Sequence, residues 1–214
     1  MTFCLLIVAK APVPGFAKTR LCPPATPEQA AEIAAASLLD TLDAALATPD
    51  ARVVVAMTGE LGEAARGTEI TAVLRKAEVI PQRGEGFDMR LVNAHADAPR
   101  PGEPVLQIGM DTPQVTPVLL AQAASRTEDS VLGPAEDGGW WALGLKDPLH
   151  AKALAGVPMS RDDTGRQTLR ALTEAGLSPG HLPTLSDVDT IADARRVAEV
   201  APHGRFARAV AEVR

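Results

Sequence analysis

Short apolar runs alternate with longer amphipathic segments along the chain, and clusters of proline, glycine and polar residues separate them. The first run, residues 3–9, is continuous and of strand length, as is typical of a strand buried on both faces of a parallel sheet. After a proline-rich loop, Thr26, Pro27 and Gln29 have the order of an N-cap, a first-turn proline and a capping-box partner. A helix is therefore predicted from residue 27 to about residue 47.

The same signals predict the remaining elements. Further strands are predicted at residues 52–57, 77–80, 104–108, 130–132, 140–145 and 182–185. Further helices are predicted at residues 60–66, 87–98, 163–175 and 190–200, and from Pro117 onward. Because strands alternate with helices, we expect one α/β domain over residues 1–214, with a mostly parallel sheet and helices on both faces.

Composition narrows the class of protein without identifying it. The 214 residues are 46% hydrophobic and 22% charged, as in a globular protein. The longest apolar run is far shorter than the roughly 20 residues of a membrane span, and no basic segment or cleavage site marks a signal peptide, so no membrane association is expected. Two cysteines provide no disulfide framework, which favours a cytoplasmic location. The net charge of −6 and the 3% aromatic content argue against a nucleic-acid partner.

The loop after the first strand is cationic. No acidic residue occurs in residues 1–27, whereas Lys10, Lys18 and Arg20 all do. In open α/β sheets ligands bind beyond the carboxyl ends of the strands, and a lysine with an arginine suits a di- or triphosphate. The alternative is a rigid surface loop with incidental charges. Neither a P-loop nor a dinucleotide-binding glycine motif is present.

Carboxylates follow two other strands. Asp111 comes directly after the strand that ends near residue 108, where it would suit Mg²⁺ or Mn²⁺; the alternative is that it caps a turn. Asp187 and Asp189 alternate, so both are expected on one side, where they could face one cation. Asp193 is expected to stabilise the first turn of a helix capped by Thr190.

Residues 133–141 form a glycine-rich turn between two apolar segments. Its paired glycines allow a ligand to approach the backbone closely, and Asp137 could orient an acceptor or a sugar hydroxyl. The alternative is an ordinary β-turn, with Trp140 or Trp141 in the core. The four histidines are scattered and lack metal-ligand spacing.

Taken together, these segments resemble a bacterial family of small uncharacterised transferases in the nucleotide-diphospho-sugar transferase superfamily, which has the glycosyltransferase A fold. The matched positions are Ala9, Lys10, Pro12, Pro14, Gly15, Lys18, Thr19, Arg20, Leu21, Gln82, Arg90, Gly109, Asp111, Pro113, Gly133, Pro134, Asp137, Gly138, Gly139, Asp187, Asp189, Thr190 and Asp193. The chain departs from the family at residues 86–88, where Asp-Leu-Gly is usual, and at Trp140, where tyrosine is usual.

The resemblance implies a single Rossmann-like domain that binds a nucleotide, with Mg²⁺ or Mn²⁺ on Asp111. Asp189 is the expected second metal ligand and Asp187 the alternative. The implied nucleotide-binding positions are Ala9, Lys10, Gly15, Lys18, Arg20, Gln82 and Arg90. Asp137, Lys18 and Arg20 are expected to act in catalysis.

Members of the superfamily catalyse two types of reaction with this fold. Nucleotidyl transfer from an NTP to a small phosphorylated or anionic acceptor is favoured, because the Lys-Thr-Arg-Leu loop resembles the phosphate loop of superfamily members that make dinucleotides. Glycosyl transfer from an NDP-sugar is the first alternative, and a catalytically silent nucleotide-binding protein the second. The expected partners are thus a small nucleotide donor and a small acceptor, and a homodimer is compatible with the sequence.

Overall fold

A computed structural model describes residues 2–214 and contains one seven-stranded sheet of order β3-β2-β1-β4-β6-β5-β7. The strands are β1 Phe3–Lys10, β2 Ala51–Thr58, β3 Glu78–Pro81, β4 Val105–Gly109, β5 Ser130–Pro134, β6 Trp140–Leu145 and β7 Pro179–His181. All neighbouring strands pair in parallel except β6, which runs antiparallel to both β4 and β5. The prediction of a mostly parallel α/β sheet is confirmed.

Seven α-helices connect or flank the strands in the described part of the chain. They are α1 Pro27–Leu46, α2 Gly67–Leu74, α3 Phe87–Asp97, α4 Pro117–Ala124, α5 Thr164–Glu174, α6 Ile191–Val200 and α7 Arg205–Ala211. Short 3-10 helices cover Thr19–Leu21, Leu61–Glu63 and Pro148–Leu154.

β1 lies in the middle of the sheet and is buried on both faces. Its side chains alternate between two cores: Leu5 and Ile7 pack with α1, α2 and α4, whereas Leu6 and Val8 pack with α3 and α5. This two-sided burial explains why the first apolar run is continuous rather than alternating. A third core lies between the outer face of α1 and helices α6 and α7, and Phe206 is its largest fully buried member.

The strand order reverses between β1 and β4. The chain proceeds outward from β1 to β2 and β3, then crosses through α3 to return as β4 on the other side of β1. The carboxyl ends of these two neighbouring parallel strands therefore open side by side, which is where ligands bind in open α/β sheets.

Two sequence predictions are wrong. The helix expected at residues 60–66 is only a three-residue 3-10 turn, because Arg66 adopts a left-handed backbone (φ 52°) and α2 begins after it. The strand expected at residues 182–185 lies earlier, at β7, since Pro183 has no N–H to donate and Leu185 makes only an isolated bridge to Ala135. Helix α7 was not predicted.

The predicted start of α1 is confirmed. The Thr26 hydroxyl accepts from the Gln29 N–H at 3.2 Å, and the Gln29 side chain accepts from the Thr26 N–H at 2.9 Å. Helix α6 has the same arrangement, with Thr190 as N-cap and Asp193 as its reciprocal partner. Asp193 thus has the structural role expected of it.

We expect Thr26→Ala to lower the free energy of unfolding by about 1 kcal/mol, because an N-terminal N–H of α1 loses its partner. The melting temperature should fall by roughly 2–4 °C for a chain of this size. Thr173→Ala is the control, since that exposed hydroxyl only bonds to the Leu169 carbonyl within α5. Equal melting temperatures for the two variants would contradict the capping role.

Candidate functional site

The loop after β1 and the turn after β4 meet at the carboxyl edge of the sheet. Lys18 lies in this loop with a left-handed backbone (φ 50°), just before the 3-10 helix. Its ammonium nitrogen is 3.0 Å from Oδ2 of Asp111, and the lysine side chain is only 12% exposed. A cation and a carboxylate that follow two neighbouring strands therefore form an ion pair in which the lysine is shielded and the carboxylate is 39% exposed.

A second ion pair joins the same loop to the segment before α6. Arg20 donates to Asp189, and the arginine side chain is largely exposed. The two ion pairs border one cavity of about 250 Å³, which also contains Lys10 and is called here the cationic cavity. It lies on the α1 side of the sheet, because Ala34 of α1 forms part of its wall.

Asp111 and the preceding Met110 are held by three hydrogen bonds from other elements, two to backbone carbonyls and one to the Met110 side chain. Ser37 of α1 donates to the Met110 carbonyl at 2.6 Å, and the Val188 N–H donates to the Asp111 carbonyl at 3.0 Å. The Lys10 N–H contacts the Met110 sulfur at 3.3 Å. The position of the Asp111 side chain is thus set by β1, α1 and the 187–189 segment together.

A second cavity, of about 200 Å³, opens on the α3 side of Asp111. Because both Trp140 and Trp141 line it, it is called here the tryptophan cavity. Its walls combine apolar side chains, including Leu91 of α3, with the carboxylates Asp111, Asp137 and Asp187. Asp111 therefore lies between two cavities of different character.

The carboxylates of the tryptophan cavity affect one another. Burial first, and then the neighbouring charges of Asp137 and Asp111, together raise the pKa of Asp187 to about 6 against the opposing effect of Lys18. A cation placed among these groups would relieve that repulsion.

Asp111 has an oxygen to offer such a cation. Oδ2 pairs with Lys18, whereas Oδ1 is buried and has no hydrogen-bond partner within residues 2–214. Over those residues no three histidine, cysteine or acidic side chains are grouped at metal-ligand distances. Mg²⁺ commonly takes only one or two carboxylates plus substrate phosphates, so this donor set fits a divalent cation that binds together with a nucleotide.

The alternation of Asp187 and Asp189 predicts that both face one cation, but in the structure they line different cavities. Asp189 borders the cationic cavity and pairs with Arg20, whereas Asp187 lines the tryptophan cavity. The intervening Val188 is buried and bonds to Asp111, which turns its two neighbours toward different sides of that residue. The neighbouring charge of Asp111 is one of the effects that raise the pKa of Asp187.

The other predicted nucleotide-binding positions have separate roles. The Gln82 amide donates to the carbonyls of Ala9 and Ala56, both at 2.9 Å, and so joins the ends of β1 and β2. Lys10 donates to the Phe16 carbonyl at 2.8 Å, which braces the loop, and Gly15 supplies a positive φ of 76°. Gln82, Ala9 and Gly15 thus shape the loop that carries the cations.

Arg90 stands apart from both cavities. It lies on α3, where the only hydrogen bond of its side chain in residues 2–214 is a long one of 3.5 Å to the Gly84 carbonyl. It lines neither the cationic nor the tryptophan cavity.

The glycine-rich turn makes room for the protein itself. A Cβ on Gly138 (φ 88°) would lie 1.8 Å from the Asp162 carbonyl oxygen, and the Gly165 N–H donates to the Gly138 carbonyl at 2.8 Å. The space beside Gly138 is therefore filled by the residues that lead into α5, whereas Gly139 lines the tryptophan cavity, where a ligand can still approach the backbone. Asp137 accepts from the Gly139 N–H at 2.7 Å through Oδ1, which leaves Oδ2 for other partners.

The sequence analysis missed residues that line the tryptophan cavity. Met159, Ser160, Arg161 and Thr164 come from the loop that enters α5, and no motif marked them. Gln107 also lines this cavity, and it did carry a signal, since it is the one polar residue in the apolar strand β4. Of the two tryptophans, Trp141 is buried as expected.

The architecture matches solved structures along its whole length. A protein from Desulfovibrio desulfuricans G20, provisionally described as a nucleotide-diphospho-sugar transferase, superposes with a TM-score of 0.84 at 25% identity, over 100% of this chain and 99% of that one. The structure of CMP:2-keto-3-deoxy-manno-octonic acid synthetase complexed with CTP matches with a TM-score of 0.57 at 12% identity, covering 94% and 99% of the two chains.

A third match is Rv0371c from Mycobacterium tuberculosis H37Rv in complex with manganese, with a TM-score of 0.52 at 18% identity over 92% and 99% of the chains. The fold and these likenesses define a transferase of the nucleotide-diphospho-sugar transferase class. This confirms the class that the sequence motifs indicated.

The chain belongs to the family described as "Uncharacterized protein conserved in bacteria (DUF2064)", which matches residues 41–161. No curated protein matches it. Within residues 2–214, none of the helices combines the length and apolar character that crossing a membrane requires.

We expect Gly138→Ala to destabilise the protein beyond the cost of a positive φ. The matched control is Gly176→Ala, which has nearly the same φ of 86° but no atom within 4 Å of the added Cβ. The control should lose about 1–2 kcal/mol in the free energy of unfolding. Gly138→Ala should lose roughly 1–3 kcal/mol more, because the Asp162 carbonyl must move. Chemical denaturation measures both, and equal losses would show that the turn has room for a side chain.

Proposed function

We propose that the protein is a metal-dependent transferase that uses a nucleotide donor, and that it transfers a nucleotidyl group from an NTP to a small phosphorylated or anionic acceptor, releasing pyrophosphate. The observation that carries this proposal is the pair of ion pairs, Lys18–Asp111 and Arg20–Asp189, at the carboxyl edge of β1 and β4. Each consists of a group suited to phosphate and a carboxylate suited to a cation.

Binding of a nucleotide with its cation would exchange the partners in these pairs. Phosphate oxygens would replace the carboxylates as the partners of Lys18 and Arg20. The cation would then replace Lys18 as the partner of Asp111. Lys18 is well suited to this role, because a shielded charge interacts more strongly than one in bulk water. Arg20 adds a planar fork that can hold two phosphate oxygens.

Asp111 and Asp187 are the residues that would hold Mg²⁺ or Mn²⁺, with Asp189 close by in the cationic cavity. The unpartnered Oδ1 of Asp111 and the raised pKa of the Asp187 carboxyl group support this choice. The cation supplies charge neutralisation on the donor phosphates when it is bound.

In the transfer step, an acceptor oxygen attacks the α-phosphorus and forms a new P–O bond. The bond from that phosphorus to the oxygen bridging to the β-phosphorus breaks, and its electron pair leaves with pyrophosphate. Lys18 and Arg20 stabilise the negative charge that develops on the leaving group. Asp137, at the wall of the tryptophan cavity, orients the acceptor through Oδ2 or takes its proton when the acceptor is a hydroxyl.

The similar structures favour different donors. The structure in complex with CTP, and a nucleotidyl transferase from Methanothermobacter thermautotroptrophicus at a TM-score of 0.57 and 15% identity, support an NTP. The provisional description of the Desulfovibrio protein supports an NDP-sugar, so glycosyl transfer is the second candidate. Phosphorus NMR of reaction mixtures separates them, since nucleotidyl transfer releases pyrophosphate and glycosyl transfer releases a nucleoside diphosphate.

A thermal-shift panel of NTPs and NDP-sugars with Mg²⁺ and Mn²⁺ comes before that assay. A ligand at about 100 times its dissociation constant raises stability by about 2.7 kcal/mol. An NTP preference supports the proposal, and an NDP-sugar preference supports the second candidate. If no nucleotide shifts the melting temperature, the protein is not a nucleotide-using transferase.

We expect Arg20→Lys to weaken binding of the preferred nucleotide by about tenfold in calorimetry, because a charge remains but the two-pronged hydrogen bonding is lost. Arg83→Lys is a matched control: its ion pair with Asp97 has similar exposure, at 57% and 31% against 68% and 32% for Arg20 and Asp189. Affinity unchanged in Arg20→Lys would remove this arginine from the site.

We expect Asp111→Asn to fold but to lose the enhancement of nucleotide affinity by Mg²⁺ or Mn²⁺, because an amide lacks the charge a hard cation needs. Turnover should fall by about 100-fold or more, as the cation stabilises the transition state by several kcal/mol. Asp97→Asn, which removes a comparable surface carboxylate, should do neither. A turn-capping role for Asp111 predicts instead that cation dependence survives in the asparagine variant.

A further inference from the structure

Gln107 is an unusual residue for its position. It lies on β4 between Leu106 and Ile108, both of which are buried in the core, and it is itself only 3% exposed. Burying an amide is unfavourable unless it forms hydrogen bonds. The hydrogen-bond partners of the Gln107 amide therefore determine how it is tolerated there.

His95 satisfies one end of the amide. This histidine lies on α3, is completely buried, and has Nε2 2.9 Å from Oε1 of Gln107. Burial lowers its pKa to about 4, so the imidazole is neutral at physiological pH. Because an amide oxygen only accepts, Nε2 carries the single proton and donates it, and Nδ1 is left as a buried acceptor without a partner in residues 2–214.

The other end of the amide has no hydrogen-bond partner in residues 2–214. The Gln107 side-chain nitrogen carries two N–H donors, and no group in the described residues accepts from it. Gln107 lines the tryptophan cavity together with Leu91 and Trp140. An anchored oxygen and an unpaired nitrogen are what a ligand-binding amide requires, whereas packing alone would be served as well by two apolar side chains.

Gln107 also lies deeper than the charged groups. It is two residues inside the end of β4, whereas Asp111 is two residues beyond that end. The carboxylates Asp111, Asp137 and Asp187 line the same cavity and outnumber the cation Arg161, which pairs with Asp163, so they would repel a second anion there. The inner wall near Gln107, Leu91 and Trp140 thus favours an uncharged group.

We propose that Gln107, held in place by His95, determines acceptor specificity by donating a hydrogen bond to an uncharged oxygen, a carbonyl or hydroxyl, on the apolar part of the acceptor. The specificity role rests on the proposed function, because it requires an acceptor and places that acceptor in the tryptophan cavity. The reacting group of the acceptor stays near Asp111, and the far end of the molecule enters the cavity. Gln107 is the residue that touches the acceptor, and His95 is a positioning residue.

The two tryptophans provide a direct probe of this cavity, because the chain contains no others. Their indole N–H groups donate to Thr168 and Pro183, so each has a defined environment. Indole signals in ¹H–¹⁵N NMR should shift saturably when cyclohexanone, an uncharged carbonyl probe, is titrated into the wild-type protein. Cyclohexanecarboxylate, of similar shape but anionic, should bind more weakly.

Gln107→Leu should weaken cyclohexanone binding by about fivefold, the value of one neutral hydrogen bond. The variant leaves His95 unpaired and loses stability, so His95→Leu/Gln107→Leu is measured beside it. Replacing both partners by apolar groups should restore the melting temperature but not the affinity. A purely structural pair would regain both, and that result would overturn the proposal.

His95 has its own test. His95→Gln keeps a donor near the position of Nε2 and should retain cyclohexanone affinity, whereas His95→Leu should lose it. Equal affinities in these two variants would overturn the positioning role. Wild-type protein that fails to bind cyclohexanone, or that binds the carboxylate more tightly, would overturn the specificity.

Nucleotide calorimetry on the same variants keeps the two proposals separate. Binding of the NTP with Mg²⁺ should be unchanged in Gln107→Leu, because the cationic cavity does not include Gln107. If the wild-type protein binds no nucleotide but the cyclohexanone results hold, the proposed function fails while the assignment of Gln107 as the ligand donor of this cavity stands.

Discussion

The two-sided burial of β1 is the constraint on which the site depends. A strand with cores on both faces has no place for a charged side chain within its buried length, so the cations of this region appear only at its exposed last residue, Lys10, and beyond it. Its neighbour β4 obeys the same rule until Gly109, and Asp111 follows two residues later. The reversal of strand order between β1 and β4 brings these two ends together, and the ion pair of Lys18 with Asp111 is the direct result.

That ion pair explains how the site could bind a nucleotide together with a cation. Cations and carboxylates from separate loops balance one another, and each is of a type that binds a different part of a nucleotide–cation complex. Since Lys18 is shielded, losing one partner without gaining another would be costly, so phosphate and cation are expected to bind together. The second cavity, on the other side of Asp111, holds the groups suited to an acceptor. Asp111 thus lies at the boundary between the proposed donor and acceptor sites.

Much of this could be predicted from the sequence, because local rules fix it. The continuous apolar run of β1, the capping box of α1 and the position of Asp111 beyond β4 all depend on neighbours in the chain. Tertiary contacts decide the rest. Gly138 fits against Asp162, a residue far along the chain, and the 187–189 segment is oriented by a hydrogen bond from Val188 to Asp111.

The role of Gln107 depends both on local sequence and on tertiary contacts. A lone amide in an apolar strand was visible in the sequence, but its significance depends on His95 of α3, and α3 reaches β4 only through the crossover from β3. The break before α2 and the displaced strand β7 likewise follow from the left-handed Arg66 and from Pro183, whose effects extend only over a few residues.

If the proposed function is right, a nucleotide and a cation replace the partners within the two ion pairs. A crystal structure with Mn²⁺ and a non-hydrolysable NTP analogue would show this exchange, since the anomalous signal of manganese locates the cation. Manganese is expected on the Asp111 carboxylate, with Lys18 and Arg20 bonded to phosphate oxygens and no longer to Asp111 and Asp189. A complex in which both ion pairs remain intact and the nucleotide lies elsewhere would contradict it.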